Sequence, residues 1–227
     1  MEFSLNKYYY KSEDLFKRLP SDELAHLEKT IQQKSIRKKK MLFKQGSHPA
    51  GVYILTKGKI KMYQSNPGDR ETIIYFYTAG DVMGYRPMIC QEAHPLSAAA
   101  LEDCSYLFIP REAFLKMLKQ SPSLSNLLLE TLGHEFSVWV SSMSFFASQR
   151  VKERIVLALL KLHEIYRPED GGKVIIRLNR TDFAGYVGTA KETLVRVLGE
   201  LKKKNMIASE GSKIRITDRE ALIGMLR

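Results

Sequence analysis

The sequence predicts an α+β chain: an N-terminal β jelly roll, a long helix and a C-terminal winged helix-turn-helix. Three observations predict it. Between residues 35 and 110, short runs rich in β-branched and aromatic residues recur with glycines between them, the texture of a small barrel or jelly roll. After the helix start signal Ser121-Pro122-Ser123 no Gly or Pro break follows until the mid-160s except Gly133. Beyond Asn179, two short amphipathic stretches flank Gly188, and a hairpin pattern follows. The implied boundaries are 1–120 for the barrel, 121–147 for the helix and 148–227 for the last domain.

Residues 11–34 read as helical, with Leu15, Leu19, Leu24, Leu27 and Ile31 near helical spacing and a turn at Pro20-Ser21-Asp22. Val52-Tyr53-Ile54-Leu55 and the alternating Lys59-Ile60-Lys61-Met62-Tyr63 read as strands. Asn66-Pro67-Gly68-Asp69 is a turn, from which Thr72-Ile73-Ile74-Tyr75-Phe76 returns. Gly80-Asp81 and Tyr106-Leu107-Phe108-Ile109 close the series. The long helix carries Leu124, Leu128, Leu132, Trp139 and Phe146 at multiples of three to four, with Glu135 and Ser142 interrupting. About 25 residues at about 1.5 Å each give roughly 38 Å, more than one small barrel covers. The helix is therefore expected to form a coiled-coil-like homodimer seam. Val151, Ile155, Ala158, Leu159 and Leu162 mark another helix, and Val174-Ile175-Ile176-Arg177-Leu178 a short strand.

The chain has 227 residues, 44% hydrophobic and 27% charged, enough for one large or two modest cores. The net charge is +11. Residues 148–227 hold 17 Lys/Arg against 10 Asp/Glu, and residues 1–147 hold 19 against 15. The shorter C-terminal part thus carries most of the excess, which suits a polyanionic partner. No apolar run is long enough to span a bilayer, and Met1-Glu2-Phe3-Ser4-Leu5-Asn6-Lys7 holds no signal pattern. The expected location is the cytoplasm, with no membrane partner. Cys90 and Cys104 form no CxxC pair. They fit a reducing compartment and exclude an all-cysteine iron–sulfur site within one chain. No cofactor is expected.

Residues 179–201 carry the chemistry. Asn179 caps a helix starting at Arg180, with Asp182 near its positive end. Ala184 lets a second helix approach, and Gly188 permits the left-handed turn between them. Thr189-Ala190-Lys191-Glu192 fits a capping box. Leu194, Val197, Leu198 and Leu201 form the buried stripe. Lys191, Glu192, Val195, Arg196 and Gly199 lie off it, so Lys191, Glu192 and Arg196 face outward near the helix start. Such residues read base edges of double-stranded DNA in the major groove: Lys or Arg with guanine, Glu with cytosine. Thr189 suits a phosphate. As a capping residue Glu192 would fold back to Thr189; as a reader it would point out, and the two rotamers compete. Met206-Ile207-Ala208-Ser209 and Lys213-Ile214-Arg215-Ile216 then form a wing. Arg180, Lys213 and Lys202-Lys203-Lys204 are candidate backbone contacts.

Over residues 15–220 the chain resembles the cyclic-AMP receptor protein / fumarate-nitrate regulator (Crp/Fnr) family. The most specific stretch is Val187-Gly188-Thr189-Ala190-Lys191-Glu192-Thr193-Leu194-Val195-Arg196, similar to the family's G-x-S-R-E-T-V-x-R segment. Lys191 stands where the family usually has Arg, and loses its bidentate fork. Gly51-Val52-Tyr53-Ile54-Leu55, Lys57-Gly58-Lys59-Ile60 and Gly80-Asp81-Val82-Met83-Gly84 match the glycine pattern of the family's cyclic-nucleotide-binding domain. The resemblance implies a homodimeric transcription regulator that also contacts RNA polymerase, for which the loop 164–173 is the candidate. The nucleotide cassette departs from the family. Tyr85 follows Gly84 where cyclic-nucleotide binders have Glu, no Arg lies between Pro87 and Leu107, and Trp139 and Val140 replace polar base contacts. Weak or no cyclic-AMP binding is expected. Gly84, Tyr85, Arg86, His94, Ser97 and Trp139 are candidate lining for another small-molecule effector, with an empty or self-filled pocket as the alternative.

Three other readings compete. A cyclic-nucleotide-responsive regulator with an atypical pocket would need contacts the cassette lacks. A cupin-type metalloenzyme would need clustered ligands, but His26, His48, His94, His134 and His163 form no HxH or HxxxE grouping. A nucleotide-binding module acting on another protein would have no use for a recognition helix and wing.

Overall fold

In a computed structural model of the chain, residues 3–11, 15–66, 70–168 and 170–226 are described. They pack as two compact units, Lys11–Glu135 on one hand and Met1–Tyr10 with Phe136–Arg227 on the other.

The first unit begins with a 3-10 turn, Leu15–Arg18, and helix α1 (Ser21–Glu28). Eight strands follow: β1 (Gln32–Ile36), β2 (Met41–Phe43), β3 (Gly51–Lys57), β4 (Ile60–Asn66), β5 (Arg70–Tyr77), β6 (Val82–Met83), β7 (Ser97–Ala100) and β8 (Cys104–Pro110), with the one-and-a-half-turn helix α2 (Tyr85–Cys90) between β6 and β7. They form two antiparallel four-stranded sheets, ordered β1-β8-β3-β6 and β2-β7-β4-β5. The predicted turn after Asn66 lies largely in residues 67–69, outside the described residues, but β4 and β5 pair across it from Asn66↔Arg70 onward. Alternation fails in β3 and β7, which are buried on both faces: β7 is Ser-Ala-Ala-Ala, all buried. Small side chains there make room for the large ones opposite. Phe43, Tyr53, Leu55, Ile60, Met62, Tyr77, Met83 and Tyr106 fill the space between the sheets. Tyr53 sits within 5.2–5.7 Å, ring to ring, of Phe43, Tyr106 and Phe108. A second core joins Val52, Val82, Tyr85, Met88 and Ile109 to Phe114 of α3 (Arg111–Gln120) and to Leu124 and Leu128 of α4 (Pro122–Ser148).

Helix α4 runs 27 residues, close to the roughly 25 expected from the stretch without helix breakers. In the second unit α5 (Val151–Ile165) buries Ile155 through Leu160 without a break. The predicted strand after it shrinks to β9 (Ile176–Arg177), which joins β10 (Ile207–Glu210) and β11 (Lys213–Ile216) in the order β10-β11-β9. Helices α6 (Arg180–Val187), α7 (Lys191–Lys203) and α8 (Arg219–Gly224) complete it.

Candidate nucleic-acid interface and barrel site

Asn179 caps α6 as its sequence position predicts: its side-chain oxygen accepts from the Asp182 N–H at 2.8 Å. Gly188 then takes φ +68°, and its N–H and that of Thr189 bond back to the Ala184 carbonyl. Only a residue without Cβ adopts that turn at little cost, and it reverses the chain into α7. The expected capping box does not form. Helix α7 starts at Lys191 with Ala190 as its N-cap and no side-chain cap bond. Thr189 therefore sits one residue too early to cap it, and Glu192 is exposed.

Leu194, Val197, Leu198 and Leu201 are buried, and Lys191, Glu192, Val195, Arg196 and Gly199 are exposed. The Arg196 guanidinium is 67% exposed and pairs with Glu200 one turn on, at 2.6 Å. An exposed i,i+4 pair is worth about 0.3–0.5 kcal/mol, so Glu200 holds the guanidinium only weakly. Lys213 is exposed on β11, beside the wing turn. Arg180 is placed differently from a free phosphate contact: its Nη2 donates to the Gly211 carbonyl in that turn at 2.9 Å. Burial lowers its pKa below the ordinary arginine value. Arg180 thus tethers the wing to the start of α6. Val195, 49% exposed on the same face as Glu192 and Arg196, was visible in the sequence only as a position off the stripe. In a major groove its natural partner is the thymine methyl, the one apolar group there.

In the barrel unit, Gly84 takes φ +86°, and a Cβ there would lie 2.9 Å from the Gly51 carbonyl oxygen. This turn presents Tyr85 and Arg86. The Tyr85 hydroxyl donates to Glu135 Oε2 at 2.8 Å. Arg86 Nη2 lies 2.9 Å from the same oxygen and donates to the Tyr77 hydroxyl at 3.1 Å. Its guanidinium also faces the Tyr75 ring, 5.2 Å from the centroid. Burial opposes the Arg86 charge, but Tyr77, Glu135, Tyr85 and Tyr75 outweigh it and hold its pKa above the ordinary value. Burial likewise pushes the Tyr77 and Tyr85 hydroxyls well above the tyrosine range. Sequence reasoning missed Tyr75, Tyr77 and, with the only carboxylate of the cluster, Glu135. Its only signal was a carboxylate interrupting an apolar helical stripe.

His94 and Ser97 make other contacts. His94 is buried and stacks on Phe43 at 3.9 Å, and burial lowers its pKa. Ser97 Oγ accepts from the Gln45 N–H at 3.0 Å. Trp139 is 44% exposed beside Phe136. Among the described residues no group of three or more His, Cys, Asp or Glu is placed to hold a metal ion. Cys90 is exposed and Cys104 buried. No helix among the described residues is long and apolar enough to cross a membrane.

A family model described as cyclic nucleotide-binding domain matches residues 33–121, and one described as Crp-like helix-turn-helix domain matches residues 153–225. The chain is 28% identical to the anaerobic regulatory protein of Haemophilus influenzae, over 90% of this chain and 80% of that one. It is equally similar to the fumarate and nitrate reduction regulatory protein of Escherichia coli, over 90% and 82%. FixK2 from Bradyrhizobium japonicum has the same fold (TM-score 0.74, 22% identity, 86% of this chain and 96% of that one). So does a Crp/Fnr-family transcriptional regulator of Thermus thermophilus (TM-score 0.73, 22% identity, 86% and 98%).

Proposed function

This chain belongs to the Crp/Fnr family, whose members are DNA-binding transcription regulators rather than enzymes, and we propose that it binds its operator as a homodimer. Each recognition helix, α7, reads one half-site through Lys191, Glu192 and Arg196, with Val195 against a thymine methyl. Thr189 and Lys213 hold phosphates, and Arg180 holds the wing in place. One observation carries this: the exposed charged face of α7 directly after the left-handed turn at Gly188. Gel shifts against the protein's own promoter region test it, and salt-insensitive or absent binding overturns it.

The dimer reading rests on α4. Of nine large hydrophobics exposed among the described residues, five lie on this helix: Leu129, Phe136, Trp139, Val140 and Met143. Leu129, Phe136 and Met143 repeat at seven, as a coiled-coil seam requires. Half-sites about one DNA turn apart match such symmetry. The 164–173 loop remains the candidate contact with RNA polymerase, by family resemblance. At its start Glu164, in the last turn of α5, is paired with Arg167 and lies 4.0 Å from Arg219. The cytoplasm is the proposed location.

Cyclic AMP is not the proposed effector. Arg86, the arginine nearest the nucleotide cassette, is committed to Glu135 and Tyr77, and aromatic side chains occupy the barrel interior. The barrel answers to a different small molecule or to none. Calorimetric titration with cyclic AMP tests this, and a micromolar constant overturns it.

A further inference from the structure

Glu200 is charged against its surroundings. It lies in the last turn of α7, where the negative end of the helix dipole disfavours a carboxylate. It follows Arg196 by four residues, and that order, cation first, is the less favourable one for a helical ion pair. It also puts an anion on the helix that is read above as facing DNA phosphates. Helix stability therefore does not account for Glu200. Lys152 is misplaced in the same way, as the second residue of α5, at the positive end of that helix. The two meet within one compact unit. Lys152 Nζ lies 3.8 Å from Glu200 Oε2, while Arg196 Nη1 donates to Glu200 Oε1 at 2.6 Å. One carboxylate thus ties α5 to the outward arginine of α7, with an oxygen for each cation. Side-chain exposure rises along this chain, from 34% at Lys152 and 39% at Glu200 to 67% at Arg196, so the tether runs from the body of the unit out to the exposed guanidinium.

We propose that Glu200 is a positioning residue for base recognition: it holds the Arg196 fork toward a base edge and away from neighbouring phosphates, with Lys152 fixing the carboxylate. The proposal rests on the operator reading of α7 above. An arginine carries five N–H donors in a rigid fork; Glu200 engages Nη1, and a guanine edge takes two donors, so both partners are bound at once. Without the brace, an exposed arginine turns among rotamers and finds phosphate oxygens as readily as a base, which adds affinity without sequence information. A side chain already held in place also loses less freedom on binding. Each exposed pair is weak, so the brace acts on discrimination between bases more than on affinity.

The test uses the full-length protein and an operator that it selects from a random duplex library. Dissociation constants are measured for that operator, for its single-base-pair variants and for an unrelated duplex. Arg196→Ala first marks the base pair that Arg196 reads. At that pair Glu200→Gln should lower discrimination about threefold, the scale of two exposed ion pairs. Other positions should be unchanged, and the operator should be bound no more weakly than by the wild type. Glu200→Asp, which keeps the carboxylate, should recover most of the loss. Lys152→Met should shift the same position in the same direction. In an Arg196→Ala background Glu200→Gln should change discrimination nowhere. Unchanged discrimination in Glu200→Gln overturns the proposal. So does a change spread evenly over all duplexes, which makes Glu200 a bulk charge only, and so does a loss that persists without Arg196. If Arg196→Ala relaxes no position, the operator reading of Arg196 fails, and the proposal falls with it.

Discussion

Replacing Glu135 with alanine removes the acceptor on which the barrel cluster converges. The Tyr85 hydroxyl and the Arg86 guanidinium both point at Glu135 Oε2, at 2.8 and 2.9 Å. Tyr85 is 1% exposed, so its hydroxyl loses its bond and gains no water, a cost of about 1–2 kcal/mol. The Arg86 side chain is 32% exposed and keeps Tyr77, so screening places its loss at the low end for a charged pair, about 1.5 kcal/mol. Together Glu135→Ala should cost about 3 kcal/mol, a fall in Tm of about 10 °C for the barrel unit. Glu135→Gln keeps an acceptor and loses the charge, so it should cost about 1 kcal/mol. Denaturant and thermal unfolding of the full chain, with Arg86→Ala and the double variant completing a cycle, measure the terms. A Glu135→Ala shift below about 2 °C, or no difference between Ala and Gln, refutes the claim that this carboxylate anchors Tyr85 and Arg86.

Arg196→Ala should cost about 1–3 kcal/mol of operator affinity and relax preference at one base pair per half-site, read by binding to single-base operator variants. Loss of affinity uniform across sequences would reduce Arg196 to a phosphate contact. Phe136→Glu places a charge on the exposed α4 seam and should convert the dimer to monomer in sedimentation equilibrium. An unchanged mass would remove that seam. Burial lowers the Lys161 ammonium to about 8. The unfolded chain, with an ordinary lysine, holds one proton more than the folded one between about pH 8 and 10.5, so this group's contribution to stability rises with pH through that window and is least below it. Lys161→Met should therefore stabilise the protein by about 2 kcal/mol at pH 7, with a smaller gain at about pH 10 in urea melts. A pH-independent difference would show that Lys161 stays charged as it stands.

Local chemistry alone determined much of this protein. Asn179 as a cap, Gly188 as a left-handed turn, and the stripe Leu194, Val197, Leu198 and Leu201 are short-range decisions, set by backbone sterics and a 3.6-residue period. Helix α7 and its outward Lys191, Glu192 and Arg196 were legible for that reason. So was the succession of short strands, because glycines and β-branched runs act within a few residues. What the sequence left open depends on the exact geometry of turns and on partners distant along the chain. The capping box at Thr189 looked sound by spacing, yet the geometry of the turn moved the helix start to Lys191 and exposed Glu192. Arg180 read as a phosphate contact until the wing, 31 residues on, offered the Gly211 carbonyl. Glu135 read as an interruption until a separation of 50 residues brought it to Tyr85. Periodicity ranks faces and marks turns, but it carries no information on which buried donor will meet which acceptor. Only the tertiary structure decides that, because an unsatisfied polar group inside a core costs more than any local preference supplies.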